Sequence, residues 1–140
     1  MRRIARPNRL PLALAVLALL AGCGDDRPPL FAADAAGGLP KQADPARGRA
    51  LIAERGCIAC HVVPGVSAPP SRVGPRLDNM GRQAYVAGLL PNTPDNLVRW
   101  LVDPPAINPR TAMPDTGLQR SQAEDIAAFL LGPATRGSAP

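Results

Sequence analysis

Residues 57–61 read CIACH, and they spend two of the chain's three cysteines and its only histidine within five positions. Such clustering has three chemical uses: a redox disulfide, a structural metal site, or covalent attachment of a haem. A redox C-x-x-C belongs to a strand–turn–helix inside an α/β fold. Here the motif follows a helical pattern, in a chain with no convincing strand or hairpin signal. A structural zinc site takes four ligands, and apart from Cys23 the chain has no Cys or His beyond Cys57, Cys60 and His61. C-x-x-C-H is the attachment signature of c-type haem. Two thiols three residues apart reach the two vinyl groups on one porphyrin edge, and the next side chain brings an imidazole under the iron. The spacing therefore predicts one haem c, bound through Cys57 and Cys60, with His61 as an iron ligand.

The N-terminus places this chemistry outside the cytoplasm. MRRIARPNR is basic and free of acids, and LPLALAVLALLAG adds 13 apolar or near-apolar residues. That is short of the roughly 20 needed to span a bilayer, but it fits the core of an export signal. The run ends in LAGC, which resembles a bacterial lipobox. The resemblance implies cleavage before Cys23 and lipidation of its thiol. Residues 1–22 are then a lipoprotein signal peptide, and the mature protein is exported and lipid-anchored to a membrane facing the periplasm or cell exterior. The signal takes four arginines and no acid with it, which lowers the formal charge from +5 to +1. No basic face for nucleic acid is expected of such a chain.

Residues 23–43 carry Pro, Gly, Ala and acids with no apolar period, and are expected to form a flexible tether. The candidate domain is 44–133, followed by a tail at 134–140. A domain this small gains from a cofactor as a staple, more so because aromatics are only 3% of the chain. Three helix signals stand out. The first has Asp44 as N-cap, Pro45 at the first position and Gly56 as stop. The second has Thr93 as cap, Pro94 at the first position, and Pro104 as its end. The third has Ser121 and Glu124 in capping-box spacing, with Ile126, Phe129 and Leu130 on one face. Gly48, inside the first helix, costs about 1 kcal/mol relative to Ala; either it is simply tolerated there, or it marks a close crossing with the last helix. The class is all-α: three or more helices with long loops around one covalent haem.

His61 is the sole histidine, so a sixth iron ligand from this chain is a methionine, Met80 or Met113. Pro109 and Pro114 stiffen the loop around Met113, which favours it. Met80 is otherwise a pocket-wall or loop residue.

Over residues 44–133 the sequence resembles a class I c-type cytochrome. GRALIAERGCIACH resembles the N-terminal helix running into the haem motif. GPRL resembles the segment whose proline carbonyl accepts a hydrogen bond from the ligating histidine, which implies Pro75. MGRQAY resembles the loop that approaches a haem propionate, which implies Arg82 and Tyr85. WLVDPPAINPRTAMP resembles the segment ending at the methionine ligand. It implies Met113, with Trp100 near the haem and Thr111 at a propionate. Within the family, residues 91–130 are most similar to cytochrome c domains of haem–copper oxidase subunit II, here with a lipid anchor in place of the oxidase domain.

The resemblance implies an electron carrier rather than an enzyme, with no small-molecule substrate. Its partners are membrane-bound redox proteins: a haem–copper oxidase and a quinol-oxidising complex. The alternatives are a haem subunit or assembly component of an oxidase or reductase complex, and a five-coordinate haem sensor or peroxidatic enzyme. The last wants a second polar acid–base residue, most often His. An apolar docking edge is expected from Val62, Val63 and Pro64 with Ala112 and Pro114.

Overall fold

A computed structural model describes residues 38–133. The expected leader, Cys23, most of the tether and the C-terminal tail lie outside the described residues. The helices are α1 (Pro45–Glu54), α2 (Pro94–Val102), α3 (Pro104–Ile107) and α4 (Arg120–Leu131), with short 3-10 turns at Cys57–Ala59 and Met80–Arg82. The fold is mostly helical, as expected.

Local chemistry sets the helix ends. Asp44 is extended, and its carboxylate accepts from the N–H groups of Ala46 and Arg47, while Pro45 brings no donor to an end that has donors to spare. After Glu54 the chain turns away at Gly56, whose φ of +73° lies in the left-handed region. The Thr93 side chain accepts from the Asn96 N–H at 3.2 Å to open α2. Asp103 closes α2 and caps α3 by accepting from the Ala106 N–H at 3.0 Å, so Pro104 ends one helix by starting the next.

Two expectations are corrected. α4 starts at Arg120, one residue before Ser121. Its cap is Gln119, whose N–H donates to Gln122 Oε1 at 3.1 Å. Ser121 is already helical, and Glu124 instead accepts from Arg120 Nε at 3.1 Å. The glutamine at N3 reaches back as far as a glutamate does, and the i,i+4 ion pair takes the acid that the Ser121 box would have used. Two strands are also present, β1 (Tyr85–Val86) and β2 (Leu90–Pro91), antiparallel with Tyr85 opposite Pro91 and Val86 opposite Leu90. The turn between them sets Ala87 and Gly88 at φ +52° and +70°. Two-residue strands are too short to show alternation.

α4 crosses both α1 and α2. At the first crossing a Cβ on Gly48 would overlap the Asp125 carbonyl and come within 2.8 Å of the Ile126 nitrogen, so the two backbones touch. Ile52 follows one turn later, and the core continues through Leu97, Val98, Leu101, Ile126, Phe129 and Leu130. The segment 38–43, read from sequence as the end of the tether, lies on this domain. Leu39 packs against the core, and the Gln42 carbonyl accepts from Arg47 Nη2 at 2.9 Å.

The same crossing buries the Asp125 carboxylate. It accepts from the Asp44 N–H at 2.7 Å and from Arg47 Nε and Nη2 at 2.9 and 2.8 Å. Burial alone would raise its pKa. The Arg47 fork and the Asp44 N–H outweigh burial and hold it below the ordinary carboxylate value. A depressed native pKa stabilises the fold above the unfolded-state value of about 3.9 and is lost as pH falls through the native value. Asp125→Asn is therefore expected to lower stability at pH 7 by about 2 kcal/mol, the scale for hydrogen bonds to a buried charge. Urea unfolding across a pH series from 7 downward checks this: the gap between the two proteins should narrow as acid protonates Asp125.

Candidate haem site

The C-x-x-C-H segment is wound into a single turn. The N–H groups of Cys60 and His61 both donate to the Cys57 carbonyl, at 3.2 and 2.9 Å. Residues three and four apart in such a turn share a face, so both sulfurs and the imidazole leave the backbone on one side. The thiols are unpaired and half-buried. Burial pushes the Cys57 thiol up, its own backbone hydrogen bond pulls down, and the Cys60 thiol raises it further. The net rise keeps Cys57 a neutral thiol.

The His61 ring is fixed from two directions. Nδ1 lies 2.7 Å from the Pro75 carbonyl oxygen. A carbonyl only accepts, so Nδ1 carries the proton and the lone pair is on Nε2, the tautomer a metal needs. Pro75 is itself held by two rungs: Gly74 N–H donates to the Cys60 carbonyl at 2.8 Å and Leu77 N–H to the Val62 carbonyl at 2.9 Å. Gly74 packs directly on the ring. A Cβ there would stand 2.5 Å from His61 Cε1 and 2.7 Å from Nδ1, so only glycine fits. The sequence reading used the proline of GPRL and passed over what the glycine does.

Met113 sits in a chain of small turns. Thr111 N–H donates to the Asn108 carbonyl at 2.9 Å, and Met113 N–H donates to Thr111 Oγ1 at 3.1 Å. Beyond Pro114, Gly117 N–H donates to Asp115 Oδ1 at 2.8 Å, with Gly117 at φ +64°. The Thr111 hydroxyl, assigned by resemblance to a propionate, thus accepts from the methionine's own backbone and keeps its proton to donate elsewhere. Met113 and Met80 are both half-buried against the same core that buries Trp100, so burial alone does not rank the two thioethers. Arg82 and Tyr85 lie exposed at the end of the 3-10 turn and in β1. Val63 is 4% exposed and part of the core, so it drops out of the expected docking edge.

A family model described as cytochrome c matches residues 45–132. The chain belongs to the cytochrome c family. Cytochrome c oxidase subunit 2 of Alkalihalophilus pseudofirmus is 33% identical over 85 residues, covering 60% of this chain and 24% of that protein. The subunit 2 of Bacillus subtilis is 32% identical over 85 residues, covering 59% and 24%. The chain therefore spans about a quarter of the length of these curated relatives. The chain is related to oxidase subunit 2, and its family is one of haem-bearing electron-transfer proteins.

The residues of this cytochrome c domain fit a covalent haem. Two unpaired thiols three residues apart suit addition to two vinyl groups, and an imidazole with its free lone pair on Nε2 suits iron. Cys57 and Cys60 would hold the porphyrin edge and His61 the iron, with one thioether available on a stiff loop.

Proposed function

We propose that this cytochrome c is a membrane-anchored monohaem carrier that passes single electrons between respiratory redox partners outside the cytoplasmic membrane. The observation that carries the reading is the His61 imidazole, fixed through Nδ1 on the Pro75 carbonyl and by Gly74 against its face. A ring held this way cannot swing as its ligand changes charge. The haem supplies a one-electron couple at its iron. The chain's part would be to keep ligands and pocket the same in both oxidation states: His61 and Met113 would hold the iron, and Trp100 with the core would exclude water. Thioether ligation and apolar burial both favour the reduced form, whose site carries less charge. The test is covalency: haem must stay with the polypeptide through acidified organic solvent, and replacing both Cys57 and Cys60 by Ser must release it.

Anchoring rests on LAGC and the polar run after Cys23. The native protein is expected to fractionate with membranes, and Cys23→Ser to move it to the soluble fraction with haem attachment intact. An unmodified Cys23 thiol in protein released by simple washing would end the lipid-anchor reading. A tether on the partner's own membrane raises effective concentration without new contacts.

The partners are proposed to be a haem–copper oxidase and a quinol-oxidising complex. Residues 44–133 carry nine arginines against eight acids, and steering by net charge needs a large field of one sign. Electron transfer from the domain without its tether to a purified oxidase is therefore expected to vary only mildly across a salt series. A steep fall would show that a local charged patch governs docking. The kinship with oxidase subunit 2 favours a second reading, a resident subunit of such a complex. Stoichiometric co-purification with the oxidase through detergent would select it over a free shuttle.

A further inference from the structure

We propose that Asn92 is a positioning residue of the haem crevice, and that its side-chain oxygen is a buried acceptor for one O–H donor brought by the bound haem or by an ordered water. Asn92 is 1% exposed. Its backbone N–H donates to the Ala84 carbonyl at 3.0 Å, and Nδ2 donates to the carbonyls of Met80 at 2.6 Å and Gln83 at 2.9 Å. The side chain thus ties together the two ends of the turn that carries Gly81 and Arg82. On the other side Gly81 lies against α4, where a Cβ would stand 2.9 Å from the Leu131 carbonyl oxygen. The turn is clamped between the start of α2 and the end of α4.

The amide has one possible orientation. Flipping it would set Oδ1 against two carbonyl oxygens, so Oδ1 faces the other way. There it is buried and has no hydrogen-bond partner among the described residues. An uncompensated buried acceptor is costly, and a site that keeps one is shaped for a donor from outside the chain. The placement says which donors qualify. The clamped turn begins at Met80, which shares its core with Trp100, Met113 and the Cys57 side chain of the attachment motif. The donor is an O–H, from the acid form of a haem propionate or from one water. This inference rests on the haem reading above.

The experiment uses the haem-loaded full chain. Asn92→Asp keeps the size and an acceptor but turns the donor into an oxygen facing two carbonyls; Asn92→Ala removes both. Each is expected to retain covalent haem, to speed amide exchange at Arg82 and Gln83 at least tenfold, and to displace the reduction potential. Covalent haem with an unchanged potential in both variants would reduce Asn92 to a structural staple and overturn its role at the crevice. Absence of covalent haem from the unaltered chain would instead sink the reading beneath it. Should neither variant fold, the native protein still decides. Both Nδ2 protons must be protected from solvent exchange, and exchange at the rate of an exposed amide overturns the clamp. In the same spectra, an Asn92 side-chain resonance that follows an acid titration identifies a propionic acid. A pH-independent resonance with a cross-peak to a long-lived water identifies water. Neither signal overturns the acceptor.

Discussion

Met113→Ala is expected to abolish the weak long-wavelength absorption that marks sulfur-to-iron charge transfer in the oxidised protein, and to lower the reduction potential, with haem still attached through Cys57 and Cys60. Met80→Ala is expected to spare both the band and the potential. The difference between the two methionines is not burial, since both pack on the same core. It lies in the backbone. Met113 is followed by Pro114, and its N–H is bound to Thr111 Oγ1 at 3.1 Å in a loop of successive turns. A weak thioether bond survives when little conformational freedom is lost on making it. Met80 opens a 3-10 turn whose carbonyl Asn92 holds, which fixes its backbone for another purpose. Loss of the band in Met80→Ala and its survival in Met113→Ala would reverse the assignment. A band already absent from the unaltered oxidised protein would point to the five-coordinate alternative. Absorption spectra and a redox titration of the three proteins settle the matter.

Gly48→Ala is expected to destabilise the domain by about 3 kcal/mol, the upper scale for overpacking a well-filled site. At an exposed helix position the same change stabilises by about 1 kcal/mol, because Ala is the better helix former. The sign reverses here because the added Cβ would overlap the Asp125 carbonyl, and the neighbouring Ile126 nitrogen is 2.8 Å away. Backbone atoms of α4 cannot rotate aside as a flexible side chain would. The helices must separate, which weakens the Ile52 packing and lengthens the three hydrogen bonds that Asp125 accepts across the crossing. A loss of that size is a large share of the 5–15 kcal/mol that a domain of this kind has in total. Denaturant unfolding of both proteins at neutral pH checks it. A variant as stable as the parent, or more so, would mean that the crossing is looser than described.

What could be read without coordinates was what depends on neighbours in the chain. C-x-x-C-H is such a feature, because attachment chemistry is set by spacing within one turn. So are the starts of α1 and α2, where Asp44 and Thr93 each serve N–H groups two or three residues on and a proline occupies the first turn. Even Gly48 was legible, since a glycine inside a helix pattern requires a reason. The start of α4 was misplaced because Ser121 and Gln119 both offer a cap, and the choice turned on the Arg120–Glu124 pair and the contact of Arg120 with Asp95 at 2.9 Å. The hairpin at Tyr85–Pro91 escaped because two residues are too few for a period.

The class, the attachment motif, the candidate ligands and the caps of α1 and α2 are matters of local spacing, and a chain read residue by residue shows them. The Pro75 carbonyl was implied by resemblance, but the rest of what fixes the imidazole and the crevice came from contacts made on folding. Gly74 against His61, the buried Asp125 beneath Arg47, and Asn92 across the 80–84 turn join residues 9 to 78 positions apart. Nothing in the residue types distinguishes Asn92 from any other polar residue before a helix, or Gly74 from any other glycine before a proline. Their roles exist only because folding removes water from around them, and a buried polar group or a contacting backbone must then find its partner in whatever distant segment the fold brings alongside.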